Sequence, residues 1–376
     1  MHKFIIAALA ILTTTASTHS LVGQIKVSSI ALPANLQSGP QWEKDQYQIE
    51  TAISIARETA KRHNRNVTVL LDSGKLKQVS GNELSYKYEH KMYRLRRPIL
   101  VPGGVVLVGE GYGKREARLV WEDCQSNSAL LIFRNGFGGG LRNVDIRVIE
   151  KLSDKVNVTA IYVHSQSSAI FENFAVDFRG LGSNSNGLVV NRNNTNTESV
   201  IFRDFNIAAS RPVIIMSGDN LTFSNFDCTC VGEVKDDSIS AVFQNFGGNV
   251  PANWTIGPGT GQKGDHAFAL TGTTKRSGDA LTILGYRWEQ GTTKGPAWLF
   301  DVDHRFRHKP EWRAHFVESI TMINCRNSPQ KDNSDYVSIK LPDDSYINFN
   351  LIGGYLPGKK EIGQKQIPGR NKSARK

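Results

Sequence analysis

The densest group of side chains that could carry out chemistry lies between residues 301 and 309. It follows the segment AWLFD, whose alternating apolar residues predict a strand with one buried face. The group consists of Asp301, Asp303, His304, Arg305, Arg307, His308 and Lys309. A carboxylate, an imidazole and guanidinium groups at one strand end could bind an anion and transfer a proton. The competing interpretation is a solvated loop whose charges form surface ion pairs.

A second pair of chemically capable residues, Asp265 and His266, comes directly before the apolar segment AFALT. If neighbouring strands stack, this pair could approach the first group. We therefore predict catalytic roles for Asp265 and His266 together with Asp301, Asp303, His304 and Arg305. The alternative is an aspartate that caps a turn beside a surface histidine.

Four further basic side chains lie at the ends of similar strands or in the first group, and we predict that they bind substrate. They are His164, Arg192, Arg307 and Lys340. A cofactor is not indicated directly, although Asp236 and Asp237 beside Lys235 could hold Ca²⁺. An acidic loop pair is more commonly just solvated, so the metal stays an open alternative.

A repeated unit positions these residues. Its first half is an alternating apolar strand that usually opens with a small residue, as in ALLIF, AIYVH, GLVVN, PVIIM, AFALT and AWLFD. Its second half is a pair of short alternating strands around one turn residue. The turn residues are Asn143, Asn173, Asp204, Asn225, Gly285 and Asn324. These residue types adopt a left-handed backbone most readily, so each predicts a tight corner between two strands.

Stacked corners predict stacked coils, and three short strands per coil specify a parallel β-helix. The sequence therefore predicts an all-β solenoid of about nine coils. A β-sandwich would need hairpin dipeptides at regular intervals, and the sequence lacks them.

The segments outside the coils have distinct patterns. Residues 1–20 combine a basic start, a short apolar run and small residues, which predicts a signal peptide and a secreted or periplasmic protein. Ile49, Ala52, Ile53, Ala56 and Ala60 follow helical spacing and predict an amphipathic helix that caps the N-terminal end of the solenoid. We assign the β-helix to residues 40–356. Residues 357–376 are predicted to be a basic disordered tail.

The cysteines are predicted to be unpaired. Counting from the corners, Cys228, Cys230 and Cys325 point inward. Cys325 lies about three coils from the other two, roughly 14 Å at the spacing of stacked strands. A disulfide needs Cα atoms within ~7 Å, so we expect buried thiols.

The net charge limits the partners. The chain carries +11, of which seven basic residues and one acidic residue give the tail +6, leaving +5 for the rest. A mildly basic body is compatible with an acidic polymer. We do not expect a nucleic-acid partner, because no recognition motif is present. After residue 20 no segment is apolar enough to span a membrane, and the oligomeric state stays open.

The amphipathic helix, the segment YRLRRPILVPGGVVLVGEG (residues 93–111) and the Asn-corner coils together resemble the pectate-lyase superfamily. The resemblance covers roughly residues 40 to 355. It implies a right-handed β-helix on which substrate lies along the sheet of AIYVH-type strands, here called the first sheet. It does not imply one activity, because that family includes lyases, hydrolases, epimerases and non-catalytic shafts.

The catalytic motifs of that family do not carry over. Its lyases have R-x-P-x-x-R, whereas Arg307, Pro310 and Arg313 stand one residue too far apart. The hydrolase motifs N-T-D and G-H-G are absent. We therefore keep three hypotheses: a polysaccharide lyase acting on uronate chains, a glycoside hydrolase using two carboxylates such as Asp301 or Asp303 with Asp265, and a non-catalytic glycan-binding β-helix.

Overall fold

A computed structural model describes most of the chain. The described residues are 23–78, 86–111, 117–148, 154–190, 197–234, 240–245, 252–270, 278–289, 297–301, 317–327, 337–340, 348–354 and 360–363. The predicted signal peptide and most of the predicted tail lie outside them. Among the described residues, no helix is both long and apolar enough to cross a membrane.

Two α-helices and thirty strands form in the described residues. The helices are α1 (Ala34–Gln37) and α2 (Gln41–His63), after one 3₁₀ turn at Val27–Ser29. The first fifteen strands are β1 (Gln24–Lys26), β2 (Val67–Leu71), β3 (Lys75–Gln78), β4 (Tyr86–Glu89), β5 (Lys91–Leu95), β6 (Ile99–Pro102), β7 (Val105–Gly109), β8 (Ala117–Trp121), β9 (Ala129–Phe137), β10 (Gly140–Arg142), β11 (Val144–Val148), β12 (Thr159–Ser167), β13 (Ile170–Glu172), β14 (Ala175–Asp177) and β15 (Asn186–Val190). The others are β16 (Ile201–Ala209), β17 (Arg211–Ile215), β18 (Thr222–Cys230), β19 (Ala241–Asn245), β20 (Trp254–Ile256), β21 (Gly259–Gln262), β22 (His266–Leu270), β23 (Gly278–Leu284), β24 (Tyr286–Glu289), β25 (Trp298–Asp301), β26 (Val317–Ile323), β27 (Arg326–Asn327), β28 (Val337–Lys340), β29 (Asn348–Ile352) and β30 (Lys360–Gly363).

The strands form two long parallel sheets. The first sheet has ten strands in the order β6, β9, β12, β15, β17, β19, β22, β25, β28 and β30. The second has eighteen strands and bends at the corner column, so we call it the bent sheet. Nine spacings of about 4.8 Å make the first sheet about 43 Å long. The predicted all-β right-handed parallel β-helix of about nine coils, with its N-terminal helix, is confirmed.

The corner column is also confirmed. Asn143, Asn173, Asp204, Asn225 and Asn324 all have φ between 50° and 57°. Their side chains stack as well: the Nδ2 of Asn173 donates to the Oδ1 of Asn143 at 2.6 Å, and the Nδ2 of Asn225 donates to the Oδ1 of Asp204. The left-handed backbone turns the chain by a sharp corner, and the amide ladder joins one coil to the next.

One corner was not predicted. Between Asn225 and Gly285 the chain makes a further coil whose corner lies at Gly257 and Pro258, with φ of 116° at Gly257. The strand after it, β21, reads GTGQ and has no apolar alternation. Neighbouring rings explain this, because a Cβ on Gly259 would meet the ring of Phe226 at 2.5 Å. Phe226 and Tyr286 belong to the coils on either side, and their ring centroids lie 5.1 Å apart because the glycine coil places no side chain between them.

The interior is apolar and continuous. The strand residues predicted to point inward in the first sheet are all fully buried: Ile161, Val163, Leu188, Val190, Phe268, Leu270, Trp298 and Phe300. Aromatic rings stack along the axis, as in Phe171, Phe202 and Phe223. The four cysteines are buried free thiols, which confirms the prediction for Cys228, Cys230 and Cys325. Burial raises the pKa of the Cys230 thiol to about 12.

Helix α2 closes the N-terminal end of the shaft. Its predicted apolar face is buried, from Ile49 to Ala60. Two polar side chains on the same face are buried too. The carboxylate of Asp45 accepts the backbone N–H of Arg94 in β5 at 2.8 Å, and Gln46 bonds both backbone groups of Arg97 at 3.4 Å. The helix therefore satisfies strand groups that an open end would leave exposed.

Candidate functional site

A cleft of about 550 Å³ lies on the outer face of the first sheet, across β9, β12, β15 and β17. We call it the sheet cleft. One wall is polar and belongs to the corner where the chain enters the first sheet. The other is largely apolar and belongs to the outward-facing side chains of the strands.

The polar wall is a second column of left-handed residues. Asn127, Asn157 and Asn184 have φ of 60°, 54° and 58°. Their backbones are linked from coil to coil, since Asn127 N–H donates to the carbonyl of Val156 at 3.0 Å and Asn157 N–H to that of Ser183 at 3.1 Å. The Nδ2 of Asn157 also donates to the Oδ1 of Asn127 at 2.9 Å. Asparagine amides therefore line this edge at regular strand spacing.

Arg211 anchors the floor of the sheet cleft. Its Nε donates to the Oδ1 of Asn186 at 2.8 Å, and one Nη donates to the Oδ1 of Asn157 at 3.0 Å. The same Nη donates to the carbonyl of Asn184 at 3.1 Å. Asn186 in turn donates to Asn157 and to the hydroxyl of Thr159, both at 3.1 Å. Arg211 and Asn186 are buried, so these amides are held in fixed orientations before any ligand arrives.

The apolar wall follows one row of the sheet. Tyr162 pairs in register with Val189, and Val189 with Ile214. The ring of Tyr162 stacks on His164, with centroids 5.8 Å apart and planes at 24°. The Nδ1 of His164 is buried and has no hydrogen-bond partner among the described residues. Met216 completes this wall.

The solvent exposure of this row of outward-facing side chains shows which part of the first sheet is accessible. Leu100, near its N-terminal end, is 44% exposed, and Tyr162 and Val189 are half-buried. Further along, Ile214, Gln244 and Ala269 are 3%, 4% and 0% exposed, although they too face outward. The outer face of the first sheet is therefore open from β6 to β15 and covered from β17 to β22, and it is half-buried again at Leu299 on β25.

The chemistry of the sheet cleft is that of binding. Its described lining contains amides, hydroxyls, one buried guanidinium and apolar side chains, but no carboxylate. Paired carboxylates for acid–base work are thus missing from this lining. Oriented amides beside an apolar strip suit a ligand that is polar at its edges and apolar on its faces.

Comparison with known proteins gives structural likenesses alone. No protein-family model matches the sequence, and no curated protein matches it either. The structure is similar to ORF18 of Geobacillus virus E2, with 12% identity, a TM-score of 0.46, and coverage of 93% of this chain and 64% of that one. It is also similar to the gp42 tailspike of Acinetobacter phage vb_AbaP_AS12, with 9% identity, a TM-score of 0.49, and coverage of 87% and 56%.

A third likeness is to the A-module of the mannuronan C-5 epimerase AlgE4 of Azotobacter vinelandii, with 13% identity, a TM-score of 0.33, and coverage of 90% and 100%. The chain thus spans well under two thirds of the tailspike and slightly under two thirds of the viral protein. Similarity at this level concerns the backbone and carries nothing about ligand or reaction.

The coils themselves decide the fold: parallel ladders, a left-handed corner column and a capping helix. The chain is a right-handed parallel β-helix, the fold that the sequence resemblance implied. In this β-helix the sheet cleft lies on the first sheet, where the sequence resemblance placed the substrate.

The strand register separates Asp265 from Asp301, two residues that were predicted to act together. Asp265 and His266 stand at the start of β22, and Asp301 ends the next strand, β25. The register pairs Leu270 with Phe300, so six residues, or about 20 Å, separate Asp265 from the level of Asp301 along the strand. The expected approach of Asp265 to Asp301 is therefore wrong. Asp265 and His266 instead lie on the edge that carries Arg211, two strands further along.

Other predicted site residues are placed in part. His164 flanks the sheet cleft, as described above. The backbones of Asp301 and Lys340 are register partners on β25 and β28. Asp303, His304, Arg305, Arg307 and Arg192 lie outside the described residues, as do Asp236 and Asp237, the pair considered for Ca²⁺. Their predicted roles stay predictions.

The sequence analysis missed the asparagine column of the sheet cleft. A signal was present, because Asn127, Asn157 and Asn184 each stand two residues before the first residue of a first-sheet strand. Amides that bind rather than react leave no familiar motif, and their meaning depends on stacking between coils.

Proposed function

We propose that this protein binds a polysaccharide in the sheet cleft. The observation that carries the proposal is the row of fixed asparagine amides facing an apolar strip that contains Tyr162. Sugar rings present hydroxyls at their edges and C–H groups on their faces, so both walls would find partners. An elongated cleft that crosses four strands also suits a chain molecule better than a compact ligand.

Fixed amides favour this ligand for an energetic reason. Arg211 and Asn186 already orient the amide of Asn157. The conformational entropy of this amide is therefore lost on folding, and a sugar hydroxyl would not have to order it on binding. Tyr162 is held by its stack on His164 and would offer a rigid apolar surface. The polymer's acidic character and the protein's export are parts of the same proposal; the mild positive charge of the body and the pattern of residues 1–20 support them.

Binding is tested with the variant Tyr162→Ala across a panel of neutral and acidic polysaccharides, measured by affinity electrophoresis. Loss of the ring should weaken binding about tenfold or more, the scale of one buried aromatic contact. The matched control is Ile201→Ala, which removes an outward apolar side chain from the bent sheet, where it is 37% exposed. Equal retention of polymer by both variants would refute the proposal.

A second candidate function is cleavage of a uronate chain by β-elimination. The observation in its favour is the register pairing of Asp301 with Lys340, which places an acidic and a basic residue on neighbouring strands. A cation or arginine would neutralise the substrate carboxylate and a basic side chain would take the α-proton. The electron pair then forms a double bond as the glycosidic C–O bond breaks, and the leaving oxygen takes a proton.

Lyase activity is tested by the ultraviolet absorbance of the unsaturated product. The wild-type protein should produce it from at least one acidic polymer. Asp303→Ala with His304→Ala, and separately Lys340→Ala, should abolish it while polymer binding through the sheet cleft persists. Production of unsaturated ends at the wild-type rate by these variants would exclude this group from catalysis.

A further inference from the structure

A second cleft lies at the N-terminal end of the β-helix. It has a volume of about 310 Å³ and is bounded by the end of α2, the turn between β6 and β7, and the end of β9. We call it the N-terminal cleft. The first residue that the structure describes is Gly23, and the two residues before it, Leu21 and Val22, are both apolar.

Strand β1 leads from this cleft into the bent sheet. Its parallel register with β2 pairs Gln24 with Thr68, and the N–H of Thr68 donates to the carbonyl of Gly23 at 2.7 Å. Continued by two residues toward the N-terminus, the same register would pair Val22 with Asn66. Asn66 lines the N-terminal cleft, so the segment before Gly23 is aimed at the cleft.

The backbone N–H of Asn66 is an unused position of this ladder. Along one strand of a parallel pair, alternate N–H groups donate to the neighbouring strand. After Thr68, the next donor toward the N-terminus is therefore Asn66, and its acceptor would be the carbonyl of Leu21. Among the described residues this N–H has no backbone partner, whereas the N–H of Val67 donates to the carbonyl of Gly104 at 2.8 Å.

Strand β1 is anchored, so its direction is fixed. The Nζ of Lys26 lies 3.1 Å from a carboxylate oxygen of Asp72 and 3.2 Å from one of Glu110. These contacts hold the end of β1 three residues after Gly23. The two residues before Gly23 can then extend no more than about 7 Å from it, which keeps them beside the N-terminal cleft.

The cleft offers apolar contacts to such a segment. Phe137 on one rim is 75% exposed, against at most 55% for the other exposed large apolar residues in the described chain. Ala60 of α2 and Pro102 of β6 also line the cleft. By strand alternation Leu21 shares the face of Ile25, which packs against the core, so its side chain would lie on the inner side of the cleft.

The floor of the cleft is bare backbone. A Cβ on Gly103 would meet the Cα of Gly136 at 2.2 Å, and a Cβ on Gly136 would meet the Cα of Gly103 at 2.0 Å. The two turns pass in direct contact, which requires glycine at both positions. Because no side chain rises from this floor, an extended segment could lie close to it.

We propose that Leu21 and Val22 occupy the N-terminal cleft, extend β1 by two residues and cover Phe137. The occupant is the chain's own segment because β1 already delivers it, whereas a separate ligand would have to be recruited from solution. The predicted signal peptide ends at residue 20, so both residues would belong to the exported chain. The docked segment would complete the cap that α2 begins, and this inference does not depend on polysaccharide binding.

Disulfide formation tests the position of the segment. Val22→Cys with Asn66→Cys should form an intramolecular disulfide on mild oxidation, because register partners on adjacent strands lie within the ~7 Å that a disulfide needs. Asn66 is exposed, so this substitution leaves the core intact. The four native cysteines are buried and do not compete. The matched control is Val22→Cys with Arg62→Cys, since Arg62 is exposed on α2 but does not line the cleft.

Peptide mapping by mass spectrometry should find at least tenfold more intramolecular disulfide in the first pair than in the control pair. Equal yields from the two pairs would overturn the proposal. A disulfide that joins two copies of the chain would assign the cleft to the N-terminus of a second copy and would also overturn it.

Hydrogen exchange provides a second measurement that needs no cysteine. Leu21→Ser with Val22→Ser should speed exchange in residues 64–68 at least tenfold, because the docked segment would no longer protect the N–H of Asn66. The matched control is Ile352→Ser, which removes an apolar side chain that is 55% exposed on β29. Exchange in residues 64–68 at the wild-type rate in both variants would contradict the docking of this segment.

Discussion

Asn157 serves the fold and the sheet cleft at the same time. Its backbone makes a left-handed corner at φ of 54°, and its Oδ1 accepts hydrogen bonds from both Asn186 and Arg211. It is also the asparagine of an Asn-x-Thr triplet, a pattern that Asn-rich turns generate without any modification. One side chain thus fixes the entry of a strand and orients the polar wall of the cleft.

Substitution of Asn157 separates these two roles. Asn157→Gly keeps the left-handed backbone but leaves two buried donors without this acceptor, so we expect a loss of about 1–3 kcal/mol. Asn157→Ala should lose about 1–2 kcal/mol more, because alanine resists positive φ. Urea unfolding measures both values. Equal stability of the two variants would contradict the claim that the positive φ of this corner strains the backbone of an alanine.

At the scale of elements, a corner could be predicted from the sequence where the residue type itself indicates a left-handed backbone. The corner at Asn173 was predicted because its left-handed backbone shows in the amino acid itself. The coil of Gly259 and Gly261 was not, because the rings of Phe226 and Tyr286 in neighbouring coils leave no room for a side chain at these two positions. The approach of Asp265 to Asp301 was wrongly predicted for the same reason, because the two residues occupy opposite strand ends and only the register reveals this.

Helix α2 gives a prediction about pH. Burial is the main cause of the raised pKa of Asp45, outweighing its hydrogen bonds from Arg94 and Gln41. A raised folded-state pKa means that stability is lost as pH rises through it. Asp45→Asn keeps an acceptor without the charge, so its stability relative to wild type should increase from pH 3.5 to pH 7. Urea midpoints across that range test this; a relative decrease would show that the charged form is the favoured one. Asp45→Ala should be less stable than Asp45→Asn throughout.

At the scale of the whole molecule, the surface that can bind a ligand lies on one side of the β-helix, the outer face of the first sheet. The outer face of the first sheet is open from β6 to β15 and covered from β17 to β22. The sheet cleft borders the open part and is rich in amides. A polymer that crosses these strands would therefore meet amides of successive coils. The solenoid supplies the fixed spacing because each coil is locked to the next by parallel ladders.

The claim that the sheet cleft is the polysaccharide site is tested most directly by hydrogen–deuterium exchange, with and without saturating polymer. Bound polymer should slow exchange in residues 154–164 and 181–190, which border the sheet cleft. Residues 201–207 and 222–229 of the bent sheet should be unchanged, because they face away from it. Protection confined to the bent sheet, with none in residues 154–164, would contradict the account.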